Sequence, residues 1–374
     1  MSKLEYYYAV PEHLVIRELI PDIDNRRLAG AAARDAIANN PGVVPVGIDP
    51  DEGGTVFWAD IGDYPFREWQ FLYTIDHLAK AGRIGMSFTT ALDALRDPEI
   101  ATRGLAPRGF IFHVSRCGST VLGKALARAD ENVVINQGGP LQHGFWALVT
   151  DNWSRPPVAS DENLHLFRQV VLALTRQRQP GQRNAFVKFI SWNTLCMDFI
   201  FQAFPDVPAV FLYRDAAEVI ASVRKNTTAA LEARGTSKGI FIAGNDQNPD
   251  AVKYLTNCYS KYFDHALDAV ERGLNVVNYR NINGDNARHI MGEGLGYEPD
   301  PETWSGMRGQ FDVYSKDDTD KTVFTSDEAA KQSAIPDEDR AIIDASCRDL
   351  ADRLDDCPGN LFPRQTRHKD AYQL

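Results

Sequence analysis

The stretch FIFHVSRCGSTVLGKALARA, residues 110–129, decides the fold class of this chain. An apolar run typical of a strand opens it, a polar turn with a glycine follows, and a helix-length segment closes it. Similar apolar runs recur at NVVIN (132–136), AFVKFI (185–190), AVFLYR (209–214) and NVVNY (275–279). Helix-length segments lie between them, for example at 162–177 and 216–226. This alternation predicts an α/β fold in which helices flank a mainly parallel sheet.

The glycines in this stretch allow two registers for the loop between strand and helix. Gly118, four further residues, Gly123 and Lys124 nearly match the phosphate-binding loop of ATP and GTP enzymes, which ends in Gly-Lys-Ser/Thr. Here Ala125 follows the lysine, so the hydroxyl that would hold magnesium is missing. The second register starts the helix near Ser119 and leaves about three helical turns before the next strand. We favour the second register, which predicts that the Lys124 side chain lies in solvent.

In the second register the loop leads directly into the N-terminus of a helix. The unpaired backbone N–H groups of residues 117–120 and the helix dipole favour an anion there. Arg116 adds a positive charge and two hydroxyl side chains add donors. The alternative is an ordinary strand-turn-helix in which these hydroxyls only cap the helix. The anion site that we predict is P-loop-like and consists of Ser115, Arg116, Cys117, Gly118, Ser119 and Thr120.

A second group of residues follows another apolar run. Arg214 ends the run 209–214, and Ser222 lies eight residues later on the near face of the next helix. A guanidinium and a hydroxyl placed in this way can bind a phosphate. An Arg-Asp pair after a strand is also common as a structural ion pair at a helix start. Taken with the first loop, the pattern predicts one ligand that carries two separated phosphate groups.

These two groups of residues resemble motifs of the sulfotransferase family that uses 3'-phosphoadenosine 5'-phosphosulfate (PAPS). HVSRCGSTVL (113–122) is similar to the family's loop for the 5'-phosphosulfate, in the arginine-containing version common in bacterial members. FLYRDAAEVIAS (211–222) is similar to its 3'-phosphate motif. FVKFISW (186–192) and NVVNYRNI (275–282) match two weaker landmarks. The resemblance covers roughly residues 108–285.

The resemblance implies that PAPS is the donor, that 3'-phosphoadenosine 5'-phosphate (PAP) is the product, and that no metal ion is needed. Sulfuryl transfer passes less charge through the transition state than phosphoryl transfer, so positioned cations can replace magnesium. On this interpretation Arg116 neutralises the leaving oxygen, and Lys188 reaches the sulfuryl oxygens. The alternative for Lys188 is a strand-end lysine turned to solvent. Tyr279, at the end of the late strand, is a further expected cofactor contact.

The expected general base is missing from its family position. Many bacterial relatives carry an acidic residue shortly after the second strand, where it can take the acceptor's proton. Here Gln137 stands at that position, and an amide cannot act as a base near neutral pH. His143 is the nearest group whose ordinary pKa suits the task, and its alternative role is packing on a helix face. His113, inside the first strand, is expected to be a core or supporting residue.

The chain divides into three expected regions. Residues 1–104 form an accessory region that packs on the core, over the acceptor pocket. Residues 105–300 form the α/β core, and residues 301–374 complete the cofactor site. The Gly-rich segment ending in Lys that eukaryotic cytosolic sulfotransferases carry is absent here, and Lys316 is the expected substitute, with Arg308 and Ser315 as alternatives.

Composition limits the partners. The formal net charge of −11 argues against nucleic acids and other polyanions. No apolar run approaches the roughly 20 residues that cross a bilayer, so we expect a cytoplasmic protein without a membrane partner. The five cysteines are scattered and include no CxxC pair, which indicates neither disulfides nor a zinc site.

The sequence therefore predicts a sulfotransferase that acts on a hydroxyl or amine of a small molecule. The acidic chain favours a neutral or cationic acceptor, and we expect a secondary metabolite. Two alternatives stay open. One is a small-molecule kinase with a degenerate ATP loop. The other is a protein that binds PAP without catalysis, which Gln137 suggests.

Overall fold

A parallel sheet forms the centre of the computed structural model, which describes residues 15–225, residue 231, and residues 250–313 and 335–363. The strands of the described part are β1 Val43–Asp49, β2 Thr55–Asp60, β3 Ser87–Ala91, β4 Pro107–His113, β5 Asn132–Asn136, β6 Asn184–Lys188, β7 Ala209–Tyr213 and β8 Asn275–Asn278. The central sheet has five strands in the order β5-β6-β4-β7-β8, and all its pairings are parallel. The predicted α/β fold is confirmed.

Helices cover both faces of this sheet. The first eight α-helices among the described residues are α1 Ile16–Leu19, α2 Gly30–Ala38, α3 Phe71–Lys80, α4 Ser119–Ala127, α5 Trp146–Thr150, α6 Asp161–Leu174, α7 Met197–Ala203 and α8 Ala216–Lys225. The longer helices Ala251–Val270 and Asp337–Asp356 and the shorter helices Ala287–Leu295 and Pro301–Arg308 follow. We call Asp337–Asp356 the C-terminal helix. Every residue of β5, β6 and β7 is buried, as expected for strands with helices on both faces.

The strand order changes direction at β4, the position at which open α/β sheets have a crevice. The chain leaves β4 toward β5 and β6 on one side, and the later strands β7 and β8 lie on the other side. In open α/β sheets, ligands bind at the carboxyl ends of the strands where the order changes direction in this way. The segments that follow β4, β6 and β7 meet at this edge.

The N-terminal region contains a separate antiparallel sheet of order β1-β2-β3. The sequence indicated helical patches and turns here, and the strands were not predicted. β1 reads VVPVGID, a continuous apolar run without alternation, and its first six residues are buried. Its register shifts between Pro45 and Gly47. A half-exposed strand usually alternates apolar and polar residues and rarely contains proline, so the sequence of β1 did not indicate a strand.

Close backbone contacts join this N-terminal sheet to the core. The segment after β5 forms a π-helix, Pro140–Phe145. A Cβ added to its Gly144 would overlap the Ile48 carbonyl oxygen, so only glycine allows this approach to β1. The buried Arg176 guanidinium donates to the carbonyls of Val43 and Ile37, at 2.9 and 2.7 Å. The N-terminal sheet therefore packs on the segment that follows the second core strand.

Among the described residues, the search for a helix both long and apolar enough to cross a membrane finds none.

Candidate active site

The loop after β4 enters α4 at Ser119, as the second register predicts. Gly118 precedes the helix with φ of 80°, in the left-handed region. Ser115 and Arg116 also have positive φ, at 72° and 52°. Residues with a Cβ rarely adopt these angles, and each such residue costs about 1–3 kcal/mol unless its surroundings hold it. The surroundings therefore hold the loop in one defined conformation directly before the N-terminus of α4.

The Cys117 side chain points into the core and anchors the loop there. Its Sγ donates to the Leu212 carbonyl oxygen at 3.1 Å. Burial raises the pKa of the Cys117 thiol to about 11. A thiol with that pKa stays protonated near neutral pH and is a poor nucleophile. Within the predicted anion site, Cys117 can therefore offer its backbone N–H but not a reactive sulfur.

The Tyr279 side chain packs against the loop at Gly118. This tyrosine is the first residue of a short 3-10 helix, Tyr279–Asn281, directly after β8. A Cβ added to Gly118 would lie 3.3 Å from Tyr279 Cδ2, so the ring packs against the glycine backbone. The Arg214 guanidinium carbon lies 4.0 Å from the centroid of the same ring. The tyrosine thus contacts both predicted phosphate-binding segments.

Arg214 joins these segments directly. Its Nη1 donates to the Arg116 carbonyl oxygen at 3.4 Å, across 98 positions of the chain. Its Nε donates to the Glu218 carboxylate at 2.5 Å. The Arg214 and Glu218 side chains are only 4% and 3% exposed. The guanidinium is therefore a buried cation with a buried carboxylate one helical turn away.

The end of β6 contributes Lys188, which is fully buried. It pairs in register with Asn136 of β5, and both side chains approach α4. A Cβ added to Gly123 would overlap Asn136 Oδ1 and would lie 3.4 Å from Lys188 Cδ. Gly123 is therefore not a loop residue but a helix position that lets α4 pack over these side chains. The alternative of a solvent-exposed Lys188 is excluded.

Gln137 lies beside Lys188, at the end of β5. Its N–H donates to the Lys188 carbonyl oxygen at 2.7 Å. Its φ is 56°, again in the left-handed region for a residue with a Cβ. The backbone of His143 belongs to the π-helix Pro140–Phe145, while its side chain lies outside the described part of the structure. His113 is buried, as expected, with 3% exposure.

One prediction about the loop is wrong. The Lys124 side chain was expected in solvent but is only 4% exposed. Residues 122–127 of α4 are all buried, because this helix packs between the sheet and neighbouring helices rather than at the surface. The spacing of apolar residues along α4 did not indicate that other elements pack on all sides of this helix.

The other predicted residues are distributed as follows. Ser119 is buried at the helix start and Thr120 is half-buried beside it. Ser222 is buried in α8, two turns beyond Arg214, and does not line the cavity described below. Arg308 forms a surface ion pair with Asp285 at 3.2 Å. Lys316 and Ser315 lie outside the described residues.

A cavity of about 330 Å³ opens beside Arg214 and Tyr279. Its opposite wall is one face of the C-terminal helix, at the positions Arg340, Ile343, Asp344, Cys347, Arg348, Ala351, Asp352 and Asp355. A spacing of three and four residues is that of a single helix face. This wall was not predicted from the sequence. The spacing was visible in the sequence, but it mixes acidic, basic and apolar residues and so gives no amphipathic signal.

Two sets of contacts fix the C-terminal helix beside the cavity. Asp355 accepts hydrogen bonds from Tyr213 Oη and from Asn278 Nδ2, the latter at 3.1 Å, and Arg280 pairs with it at 3.0 Å. Burial and the Asp355 carboxylate raise the pKa of Tyr213. Near the other end, Arg224 of α8 pairs with Asp339 at 2.7 Å. The helix is thereby joined to the ends of β7, β8 and α8.

No group of three or more His, Cys, Asp or Glu side chains suited to a metal ion occurs among the residues that the structure describes.

Comparison with known proteins finds distant similarity among solved structures. No family model and no curated protein matches this chain. Among solved structures, it is similar to the crystal structure of a sulfotransferase from Alicyclobacillus acidocaldarius, with 14% sequence identity and a TM-score of 0.34. The match covers 64% of this chain and 95% of that chain. A similarity with this TM-score gives no information about the activity.

Proposed function

We propose that this protein transfers a sulfuryl group from PAPS to a hydroxyl or amine of a small molecule and releases PAP. The observation that carries the proposal is the meeting of the two motif segments. Arg214 donates to the Arg116 carbonyl, and Tyr279 packs against both Arg214 and Gly118. A ligand with an anionic group at each segment fits this arrangement, as PAPS does with its 5'-phosphosulfate and its 3'-phosphate.

The residues present suit the two anionic ends of PAPS. At the 5' end, Gly118 adopts φ of 80° directly before the helix, and the orphan N–H groups at the helix N-terminus favour a phosphate. At the 3' end, Arg214 offers a planar guanidinium beside a cavity of about 330 Å³. That volume lies in the range of small-molecule sites. We assign the nucleoside part to this cavity, between Tyr279 and the C-terminal helix.

The wall of the cavity also suggests how the C-terminal region takes part. Arg340 and Arg348 line the cavity, and Arg348 forms an ion pair with Asp344 one turn earlier. We therefore propose these two arginines as cations that complete the cofactor site. This assignment is independent of Lys316, which was the sequence-based candidate for that role.

When bound, PAPS supplies an activated sulfuryl group on a phosphate leaving group. Arg116 stabilises the negative charge that grows on the leaving oxygen. The buried Lys188 ammonium stabilises charge on the oxygens in transfer, and its burial strengthens that interaction because water does not screen it. Burial holds the Lys188 ammonium in place before the reaction, which is the condition for a large electrostatic contribution.

The acceptor belongs at the β5 end of the crevice, beside Gln137. The Asn136 amide donates to the Glu68 carbonyl at 3.3 Å, so the N-terminal segment around Glu68 reaches this end. We propose that this segment helps to form the acceptor pocket. The overall charge of −11 favours a neutral or cationic metabolite there. His143 stays our candidate for the base, and Gln137 then orients the acceptor.

Calorimetry with three nucleotides tests the donor. We expect PAP to bind more tightly than adenosine 5'-monophosphate, which lacks the 3'-phosphate, and more tightly than ATP with magnesium. Arg34, an exposed arginine of α2 that pairs with Asp97, provides a control, since Arg34→Ala should bind PAP as the wild type does. Tighter binding of ATP with magnesium would favour a kinase instead.

Mass spectrometry tests the transfer. A metabolite extract incubated with protein and PAPS should contain products that have gained one sulfuryl group, while PAP accumulates in equal amount. Tight PAP binding without any such product would support the non-catalytic alternative.

A further inference from the structure

A side chain of β4 holds the first residue of the anion-binding loop. The Ser115 N–H donates to His113 Nδ1 at 2.9 Å. His113 is 3% exposed, and Ser115 adopts φ of 72°. A residue with a Cβ keeps such an angle only where its surroundings impose it. The hydrogen bond to His113 is one such constraint, and it acts on the residue where the loop leaves the strand.

The hydrogen bond also defines the chemical form of the imidazole. A ring nitrogen that accepts an N–H carries no proton, so neutral His113 has its proton on Nε2. This tautomer is required for the observed loop, because a proton on Nδ1 would face the Ser115 N–H. The side chain therefore has a function that depends on one nitrogen rather than on its volume alone.

A second contact connects Ser115 to the segment that follows Lys188. Ser115 Oγ and Ser191 Oγ are 3.2 Å apart, and Ser191 lies three residues after Lys188. The loop that presents Arg116 and the segment that presents Lys188 thus share a direct hydroxyl contact. Displacement of Ser115 would alter both the anion-binding N–H groups and the spacing between the two cations.

We propose that His113 is a positioning residue of the donor site, which accepts the Ser115 N–H at Nδ1 and thereby holds the loop in its left-handed conformation. His113 does not touch the donor in this proposal. It acts through Ser115 on the direction of the N–H groups at the helix start. The effect on donor binding rests on the proposed function, whereas the hydrogen bond itself can be tested without any ligand.

The test compares His113→Asn with His113→Leu. Asparagine places its Oδ1 near the position of the histidine Nδ1 and can accept the Ser115 N–H, whereas leucine fills the space without an acceptor. We expect His113→Asn to bind PAP within about threefold of the wild type. We expect His113→Leu to lose about tenfold in PAP affinity, the scale of one hydrogen bond. His165→Leu, at an exposed position of α6, should bind PAP normally and serves as the matched control.

Two measurements on the ligand-free protein separate this proposal from the proposed function. Nitrogen-15 NMR should show the Nε2–H tautomer of His113. Hydrogen exchange should show a protected Ser115 amide in the wild type and in His113→Asn, and faster exchange in a folded His113→Leu. The Nδ1–H tautomer, or equal protection in all three proteins, would overturn the proposal. If the wild type does not bind PAP, the proposed function fails, and these two measurements still decide the role of His113.

Discussion

The loop after β4 and the arginine after β7, our two proposed anion sites, differ in how they are built, although both follow buried parallel strands at the same sheet edge. The loop uses backbone geometry, with three residues in the left-handed region and a helix N-terminus behind them. Arg214 uses a side-chain charge that already has a partner, because Glu218 lies 2.5 Å away in a buried pair. An anion at the loop meets a prepared set of donors, whereas an anion at Arg214 must share its cation with a carboxylate.

This difference assigns separate tasks to the two segments. Removal of a charge near the loop should change the rate, because the proposed function places the reacting group there. A change at Arg214 should affect donor affinity and folding together, because a buried ion pair leaves an uncompensated charge when one partner is removed. Variants at the two segments and on the C-terminal helix test that division.

Arg116→Ala and Lys188→Met should each lower kcat about 100-fold or more, the scale for loss of a preorganised charge stabiliser. Methionine retains most of the buried lysine stem, so the second variant tests the ammonium rather than the packing. Product formation under saturating PAPS measures the effect, with Arg34→Ala as the control. Rates within about threefold of the wild type would remove both residues from the chemistry.

Arg214→Ala should weaken PAP binding by about 1.5–3 kcal/mol, the scale of a hydrogen bond to a charged group. It should also lower the free energy of unfolding by about 3–5 kcal/mol, because Glu218 then stays buried without its cation. Calorimetry and urea unfolding measure the two effects separately.

A double variant sharpens this prediction. Arg214→Met with Glu218→Gln removes both buried charges, so stability should recover while PAP affinity stays low. Recovery of both would show that Arg214 serves the fold and not the ligand. Glu218→Gln alone should lower the melting temperature of the free protein and increase the rise in melting temperature that PAP produces.

The C-terminal helix provides a third test, of intermediate size. Arg340→Ala and Arg348→Ala should each weaken PAP binding about three- to tenfold, the range between an exposed ion pair and a charge-assisted hydrogen bond. Binding of adenosine 5'-monophosphate should change less. Arg353, on the same helix but outside the cavity lining, is the matched control, and an equal loss in Arg353→Ala would indicate a general charge effect.

Lys124→Met should have the smallest effect on turnover, with kcat within about twofold of the wild type. Lys124 lies inside α4, which begins at Ser119, and is not part of the loop. In an ATP-type loop the same lysine would contact the phosphates, and its loss would abolish activity. Comparison of Lys124→Met with Arg116→Ala in one assay therefore separates the two registers.

Local features of the structure could be predicted from the sequence with good accuracy. The runs at 132–136 and 209–214 became β5 and β7 within a residue at each end, and the helix start at Ser119 followed from the loop register. The N-terminal strands could not be predicted, because β1 is a continuous apolar run with a proline and a register shift. The burial of Lys124 could not be predicted either, because it depends on which elements cover α4.

The elements of the parallel core and their order along the chain follow from the sequence alone, because strand and helix periods, glycine positions and helix starts depend on residues only a few positions apart. Three long-range contacts became visible in the folded structure: the Arg116 carbonyl meets Arg214 across 98 positions, Tyr279 packs on both segments, and one face of the C-terminal helix closes the cavity. These contacts depend on the strand order, which places β4 beside β7 and β7 beside β8. Strand order results from packing between distant elements, and no local pattern encodes it.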